Sequence, residues 1–153
     1  MSEITIEKRS AQPTLCIRVR TTAKELPQLI EEKTADIRAY LLTLGKEAKG
    51  EPYAVYLNWD KAGLDAEIGM AVGETLPEQG EIKHGELPAC DAVTAVFQGA
   101  YRDMKHLYAE MNDWIAQNGY EGNGLSYEFY YNFPSQVPQE ELLTRVDLPV
   151  TKK

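Results

Sequence analysis

This chain is poor in the residues that most often announce a chemistry. Its two cysteines are too few to staple a secreted scaffold, and Cys16 and Cys90 stand in no metal-ligand spacing. Each follows a proline at the start of an apolar segment, so the plain reading is two buried thiols. Its two histidines, His84 and His106, have no aspartate, cysteine or serine at a telling spacing. There is no phosphate loop, no G-x-S-x-G and no H-E-x-x-H. Neither a metal nor a cofactor is therefore expected. No apolar run approaches the roughly 18 residues that a membrane-crossing helix needs. The stretch Met1–Lys8 has charged alternation in place of an apolar leader, which leads to the expectation of a cytoplasmic protein away from membranes. Basic charge is also short: 16 Lys and Arg face 24 Asp and Glu, a net charge of −8. The basic residues are scattered, without the stripe that displaces counterions from nucleic acid, so direct nucleic-acid binding is not expected. An acidic field favours cationic ligands or a basic protein surface.

What the chain does have is an internal repeat. Gly50-Glu-Pro-Tyr53-Ala54-Val-Tyr56-Leu-Asn58-Trp59 returns as Gly124-Leu-Ser-Tyr127-Glu128-Phe-Tyr130-Tyr-Asn132-Phe133. The offset is constant (127 − 53 = 74, 130 − 56 = 74, 132 − 58 = 74), and Cys16 and Cys90 share it. A duplication of this kind governs the fold reading. Strand alternation is read at residues 3–9 and 14–20, then at 52–58 and 65–72. Leu26, Leu29, Ile30, Ile37, Tyr40, Leu41 and Leu44 make the apolar stripe of a helix between them, with Pro27 in its first turn and Gly45 ending it. The second copy reads as strands at 81–87 and 92–97 and a helix carrying Met104, Leu107, Tyr108, Met111, Trp114 and Ile115. Strands at 126–132 and 142–148 complete it. The expectation is an α+β protein of duplicated β-β-α-β-β units, an antiparallel sheet with two helices. It is read as a single domain, 1–153, made of repeats at about 1–74 and 79–151. Such copies pack about a pseudo-twofold axis with a central groove.

The repeats differ at one chemically large position, Ala54 against Glu128. Six of the 14 aromatics fall between Tyr120 and Phe133. On a strand Glu128 and Tyr130 share one face, Tyr127 and Phe129 the other. Pattern alone leaves two readings of Glu128 open: a solvated residue of an outer face, or a cleft carboxylate among tyrosine rings. The second arrangement traps a lipophilic cation, the rings taking its apolar body and the carboxylate its charge. It also suits general acid–base work.

The second half resembles the GyrI-like, or AraC-type effector-binding, domain. The resemblance is carried by Pro88-Ala89, the apolar strand ending at Gly99-x-Tyr101, and the helix with Trp114-Ile115. It continues through Gly124, Tyr127-Glu128-Phe129-Tyr130 and Pro134, and ends in Leu148-Pro149-Val150. With the matching first copy it covers almost the whole chain. It departs at Ala100, where a proline is common, and at Phe133, where an acidic residue is common. The resemblance implies a duplicated SHS2-type fold with a groove whose acid falls on Glu128. Tyr130, Tyr101 and Tyr56 are then its aromatic walls, with Trp59 on the opposite strand parity.

Three functions follow as expectations. The first is a stand-alone binding protein for an amphipathic, cationic or polycyclic, drug-like small molecule of the multidrug type, tied to transcription regulation through a separate regulator. The second, implied by the resemblance, is a hydrolase of reactive cyclopropane-bearing compounds using Glu128 and Tyr101. The third is a partner of DNA gyrase or of a regulator, working through an acidic surface. The binding role ranks ahead of the enzyme.

Overall fold

The computed structural model describes residues 3–60 and 62–153, the side chains of Trp59 and Asp60 excepted. In chain order the elements are β1 (Thr5–Arg9), β2 (Gln12–Thr21), α1 (Leu26–Leu44), β3 (Tyr53–Asp60), β4 (Gly63–Ala71), β5 (Lys83–Leu87), β6 (Cys90–Gln98), α2 (Met104–Gln117), β7 (Tyr120–Gly122), β8 (Tyr127–Tyr130) and β9 (Leu143–Lys152). Short 3₁₀ turns at Tyr101–Asp103 and Gln139–Glu141 precede α2 and β9. All the strand pairings described are antiparallel. The protein is therefore α+β, as the hydrophobic periods require. None of the described helices is long and apolar enough to cross a membrane.

The chain forms two compact units. One is continuous, Ala11–Pro88, and the other joins Met1–Ser10 to Ala89–Lys153. In the continuous unit the strand order is β3-β4-β2-β5. Helix α1 packs Ile37, Tyr40 and Leu41 onto Leu15 and Ile17 of β2 and Met70 of β4. Of the stripe read from sequence, Leu26, Ile30, Ile37, Tyr40 and Leu41 are buried and Leu29 and Leu44 half-buried, while Thr34 joins the buried face. Gly45 ends it at φ 66°, the left-handed conformation that glycine adopts without cost. Its N–H reaches Leu42 O at 3.1 Å and that of Lys46 reaches Leu41 O at 3.0 Å, which satisfies two of the last carbonyls.

In the discontinuous unit the order is β1-β6-β9-β8, with β7 on the far end of β9. Met104, Leu107, Met111 and Ile115 of α2 pack on Val93 of β6 and on Val146 and Leu148 of β9. Each large side chain so buried contributes about 1.5–3 kcal/mol as an upper bound. Truncating the fully buried Met111 to alanine would remove about 2–5 kcal/mol.

Compact units and sequence repeats divide the chain at different places. β1, the first strand of the first half, pairs with β6, and β5 pairs with β2. Each unit thus has an edge strand that the repeats assign to the other copy, beside a strand, a helix and the strands that follow the helix. Register also separates two offsets. Leu15↔Met70 corresponds to Val93↔Leu148 (93 − 15 = 78, 148 − 70 = 78), whereas Tyr53 and Tyr127 keep 74. By that register Cys16 corresponds to Thr94 and not to Cys90. Cys16 is buried as expected, but Cys90 is only partly so. The short β7 was not anticipated, β8 is regular only over four residues, and the final strand runs on to Lys152.

Candidate functional site

Register places Glu128. It lies opposite Val146, a core residue beneath α2, while Tyr127 and Phe129 lie opposite Asp147 and Arg145. Glu128 and Tyr130 therefore face the helix, and Glu128 is only 6% exposed. A solvated outer-face glutamate is excluded. A carboxylate so buried must be hydrogen-bonded. Tyr130 donates to its Oε1 at 2.9 Å, and Tyr108, on α2, donates to its Oε2. Ser126 Oγ lies 2.6 Å from the Tyr108 hydroxyl. A phenol has one hydrogen, so with that hydrogen on Glu128 the serine is the donor.

The rings pack further. Tyr101 meets Tyr130 edge-on, with centroids 6.0 Å apart and planes at 72°, a favourable aromatic geometry. Phe133 lies 6.0 Å from Tyr130 on a tilted plane. Tyr101 is brought there by a corner at Gly99, whose φ is 142°. That φ favours glycine, and a Cβ on Gly99 would fall 3.1 Å from the Phe97 ring, which would have to shift by a few tenths of an ångström. Asn132 fixes the exit of β8: its side-chain oxygen accepts from Leu143 N at 2.9 Å.

Glu128, Tyr130 and Tyr101 are thus brought together inside one unit. Tyr56 is half-buried on β3 of the continuous unit. The side chain of Trp59 lies outside the described residues. The pattern missed Tyr108 and Ser126. Tyr108 was read as one more apolar residue of the α2 stripe, although a buried phenol demands a polar partner, and that demand was the available signal. Nothing in the sequence marked Ser126.

Two other acidic sites show what distinguishes this one. Asp147, 4% exposed, is held by guanidinium groups: Arg9 Nε at 3.0 Å and Arg145 Nε at 3.3 Å, with Thr94 donating at 2.6 Å. Arg145 also stacks over Phe129, 4.0 Å from its centroid. In the continuous unit Tyr53 donates to Glu67 Oε2 at 2.9 Å, and Arg18 lies 3.4 Å from that carboxylate. Burial, then the charge of Glu67, pushes the Tyr53 phenol well above its ordinary pKa. The same two causes push the Cys16 thiol up to about 11. Among the described residues no group of three or more His, Cys, Asp and Glu side chains is arranged to hold a metal ion.

Residues 2–151 match the model of the GyrI-like small molecule binding domain, and the chain belongs to that family. No curated protein matches the sequence. Among solved structures the fold is similar to EcmrR in its DNA complex, with a TM-score of 0.83 and 18% identity over 99% of this chain and 58% of that one. The chain thus spans a little over half of the EcmrR chain. The isolated EcmrR C-terminal domain is matched over 99% of its length, with a TM-score of 0.76 and 18% identity. A hydrolase from Listeria innocua superposes with a TM-score of 0.73 and 11% identity, covering 97% of this chain and 92% of that one. SAV2435, solved bound to tetraphenylphosphonium, superposes with a TM-score of 0.61 and 14% identity, covering 97% and 94%.

Proposed function

We propose that this small-molecule binding protein takes lipophilic, drug-like cations, with Glu128 as counter-charge and Tyr101, Tyr108 and Tyr130 as aromatic surface. The observation that carries the reading is the buried Glu128 carboxylate accepting one phenolic hydrogen on each oxygen. Neutral donors hold a carboxylate in place without cancelling its charge. A phenol donating to a carboxylate also has a more electron-rich ring, which strengthens its attraction for a cation. The tetraphenylphosphonium bound by SAV2435 is a cation of the class expected. The single-domain reading with two repeats, about 1–74 and 79–151, belongs to the proposal; the matching strand–helix order of the two compact units supports it.

A hydrolytic role for Glu128 and Tyr101 is the second reading, favoured by the similarity to the Listeria hydrolase. It ranks below binding because each Glu128 oxygen already accepts a phenolic hydrogen. Proton abstraction would first need a phenol to leave.

Charge selectivity tests the proposal. Calorimetric titration with tetraphenylphosphonium and with tetraphenylborate compares one shape carrying opposite charges. The cation should bind saturably and at least tenfold more tightly, about 1.4 kcal/mol. Equal affinity for the two ions would sink the counter-charge role of Glu128.

A further inference from the structure

We propose that Phe133 sets what the site accepts: its ring stands in for an aryl group of the ligand, and the ligand displaces it. The inference rests on the cation reading above and concerns the discontinuous unit alone. Glu128 is 6% exposed, Tyr130 2% and Phe133 5%, so the carboxylate and its aromatic wall are already covered. The Tyr130 hydroxyl holds Glu128 Oε1 at 2.9 Å. A ligand ring that packs on Tyr130 beside that carboxylate has to take the place of a neighbour. Tyr101 stands edge-on at 6.0 Å, and Phe133 at 6.0 Å on a plane tilted by 32°.

Of these rings Phe133 is the one whose surroundings let it leave. Tyr101 belongs to the 3₁₀ turn that leads into α2, so displacing it disturbs the start of the helix. Tyr108 and Tyr130 carry the hydrogen bonds on Glu128. The Phe133 side chain has no polar atom, and it lies in the segment 131–142 between β8 and β9. That segment holds much of its own shape. Asn132 pins the base, accepting from Leu143 N at 2.9 Å and donating to Glu141 O at 3.3 Å. Gln136 closes the turn: its side chain accepts from Phe133 N at 3.0 Å, and its own N–H reaches Phe133 O at 2.9 Å. Gly99 N reaches Leu142 O at the base, 2.9 Å away. Further out, exposed side chains clip the segment to the Tyr101 corner: Gln98 donates to Glu140 O at 3.2 Å and Arg102 to Gln139 Oε1 at 3.3 Å. Water replaces such bonds at small net cost. The turn can therefore swing outward with its internal bonds intact. A phenyl group of tetraphenylphosphonium matches the Phe133 ring, so the ligand restores the apolar contact that Phe133 gives up. An alkyl cation of the same charge does not refill the place of a ring.

Calorimetry compares tetraphenylphosphonium with tetraethylphosphonium on wild type and Phe133→Ala, with folding checked by circular dichroism. Removing the stand-in ring should tighten tetraphenylphosphonium about tenfold, about 1.4 kcal/mol, and leave tetraethylphosphonium unchanged. A residue that only walls the site would give the opposite sign. A second measurement keeps the wild-type sequence. The chain has three phenylalanines, so labelling with fluorophenylalanine gives three fluorine signals, and Phe133→Leu assigns one of them. On saturation with tetraphenylphosphonium that signal should acquire the solvent isotope shift of a ring in water. The proposal is overturned by unchanged or weaker binding of tetraphenylphosphonium to Phe133→Ala, by equal tightening of both cations, or by a Phe133 signal that stays shielded in the complex. Where Phe133→Ala does not fold, the fluorine signal decides alone. Equal binding by both proteins, with binding lost in Glu128→Gln, overturns this proposal and leaves the cation reading standing. Binding of the cation by neither protein overturns both.

Discussion

Tyr108 on α2 donates its phenolic hydrogen to Glu128 on β8, 20 residues further along the chain. This bond ties the helix to the strand on which the second repeat has Glu128 where the first has Ala54. It makes Tyr108 both a structural strut and a wall of the proposed site.

Tyr108→Phe should separate those roles. The ring stays, but Glu128 Oε2 loses a donor inside the fold, and Ser126 loses an acceptor. A buried acceptor left short of a partner costs about 1–3 kcal/mol. Urea unfolding should show a lower midpoint with an unchanged slope. A midpoint equal to wild type would mean that the carboxylate is not held by this bond.

Thr34→Val should have the opposite sign. Thr34 is 1% exposed in α1, and its Oγ1 has no hydrogen-bond partner among the described residues. Replacing a buried unsatisfied hydroxyl with a methyl group removes a desolvation penalty of about 1–3 kcal/mol. Part of that gain should appear as a raised melting temperature. A clear loss of stability would show that the hydroxyl has a partner.

Gly69→Ala should destabilise the continuous unit. A Cβ at Gly69 would stand 2.6 Å from Leu15 O and 2.7 Å from the Tyr53 hydroxyl oxygen. The backbone carbonyl cannot move aside freely, so a cost of about 1–3 kcal/mol is expected. Thermal unfolding measures it, and a wild-type melting temperature would contradict the close packing of Tyr53 on β4.

The two thiols should differ in reactivity and in pH response. Cys16 is buried, and its pKa of about 11 keeps it protonated at pH 8; Cys90 is partly exposed. Iodoacetamide should therefore label Cys90 first in the native protein, as mass spectrometry of peptides reports. A folded-state pKa raised above the unfolded value gives stability that is complete below the unfolded pKa and is lost as pH rises. The Cys16 contribution should fade from about pH 9 toward 11. Cys16→Ala should flatten that alkaline limb, and labelling of Cys16 ahead of Cys90 would contradict the burial on which it rests.

The elements were legible because each has a clean period. The α1 stripe from Leu26 to Leu44, and its stop at Gly45, follow from three- and four-residue spacing and one left-handed glycine. Strand parity correctly put Glu128 and Tyr130 on one face. Pairing was not legible. β1 and β2 are adjacent in sequence and both alternate, yet β1 pairs with β6, a choice made by distant registers that local pattern does not encode. The shared offset of Cys16 and Cys90 looked like part of the repeat, but register aligns Cys16 with Thr94. The site was half legible for the same reason. Glu128 and Tyr130 come from one strand and read directly. Tyr108 approaches from a helix, and its role depends on a tertiary contact that the helical stripe disguises as core.

The central claim is that the charge of Glu128 binds the ligand. Titration of tetraphenylphosphonium into wild type and Glu128→Gln, under identical salt and pH, tests it most directly. Glutamine keeps the size and one acceptor oxygen, removes the charge, and turns the other oxygen into a donating amide that one phenol must rotate to accept. The account predicts saturable binding by wild type and at least a tenfold loss in the variant, about 1.4 kcal/mol, with the fold retained by circular dichroism. Equal affinity of the two proteins for the cation would contradict it.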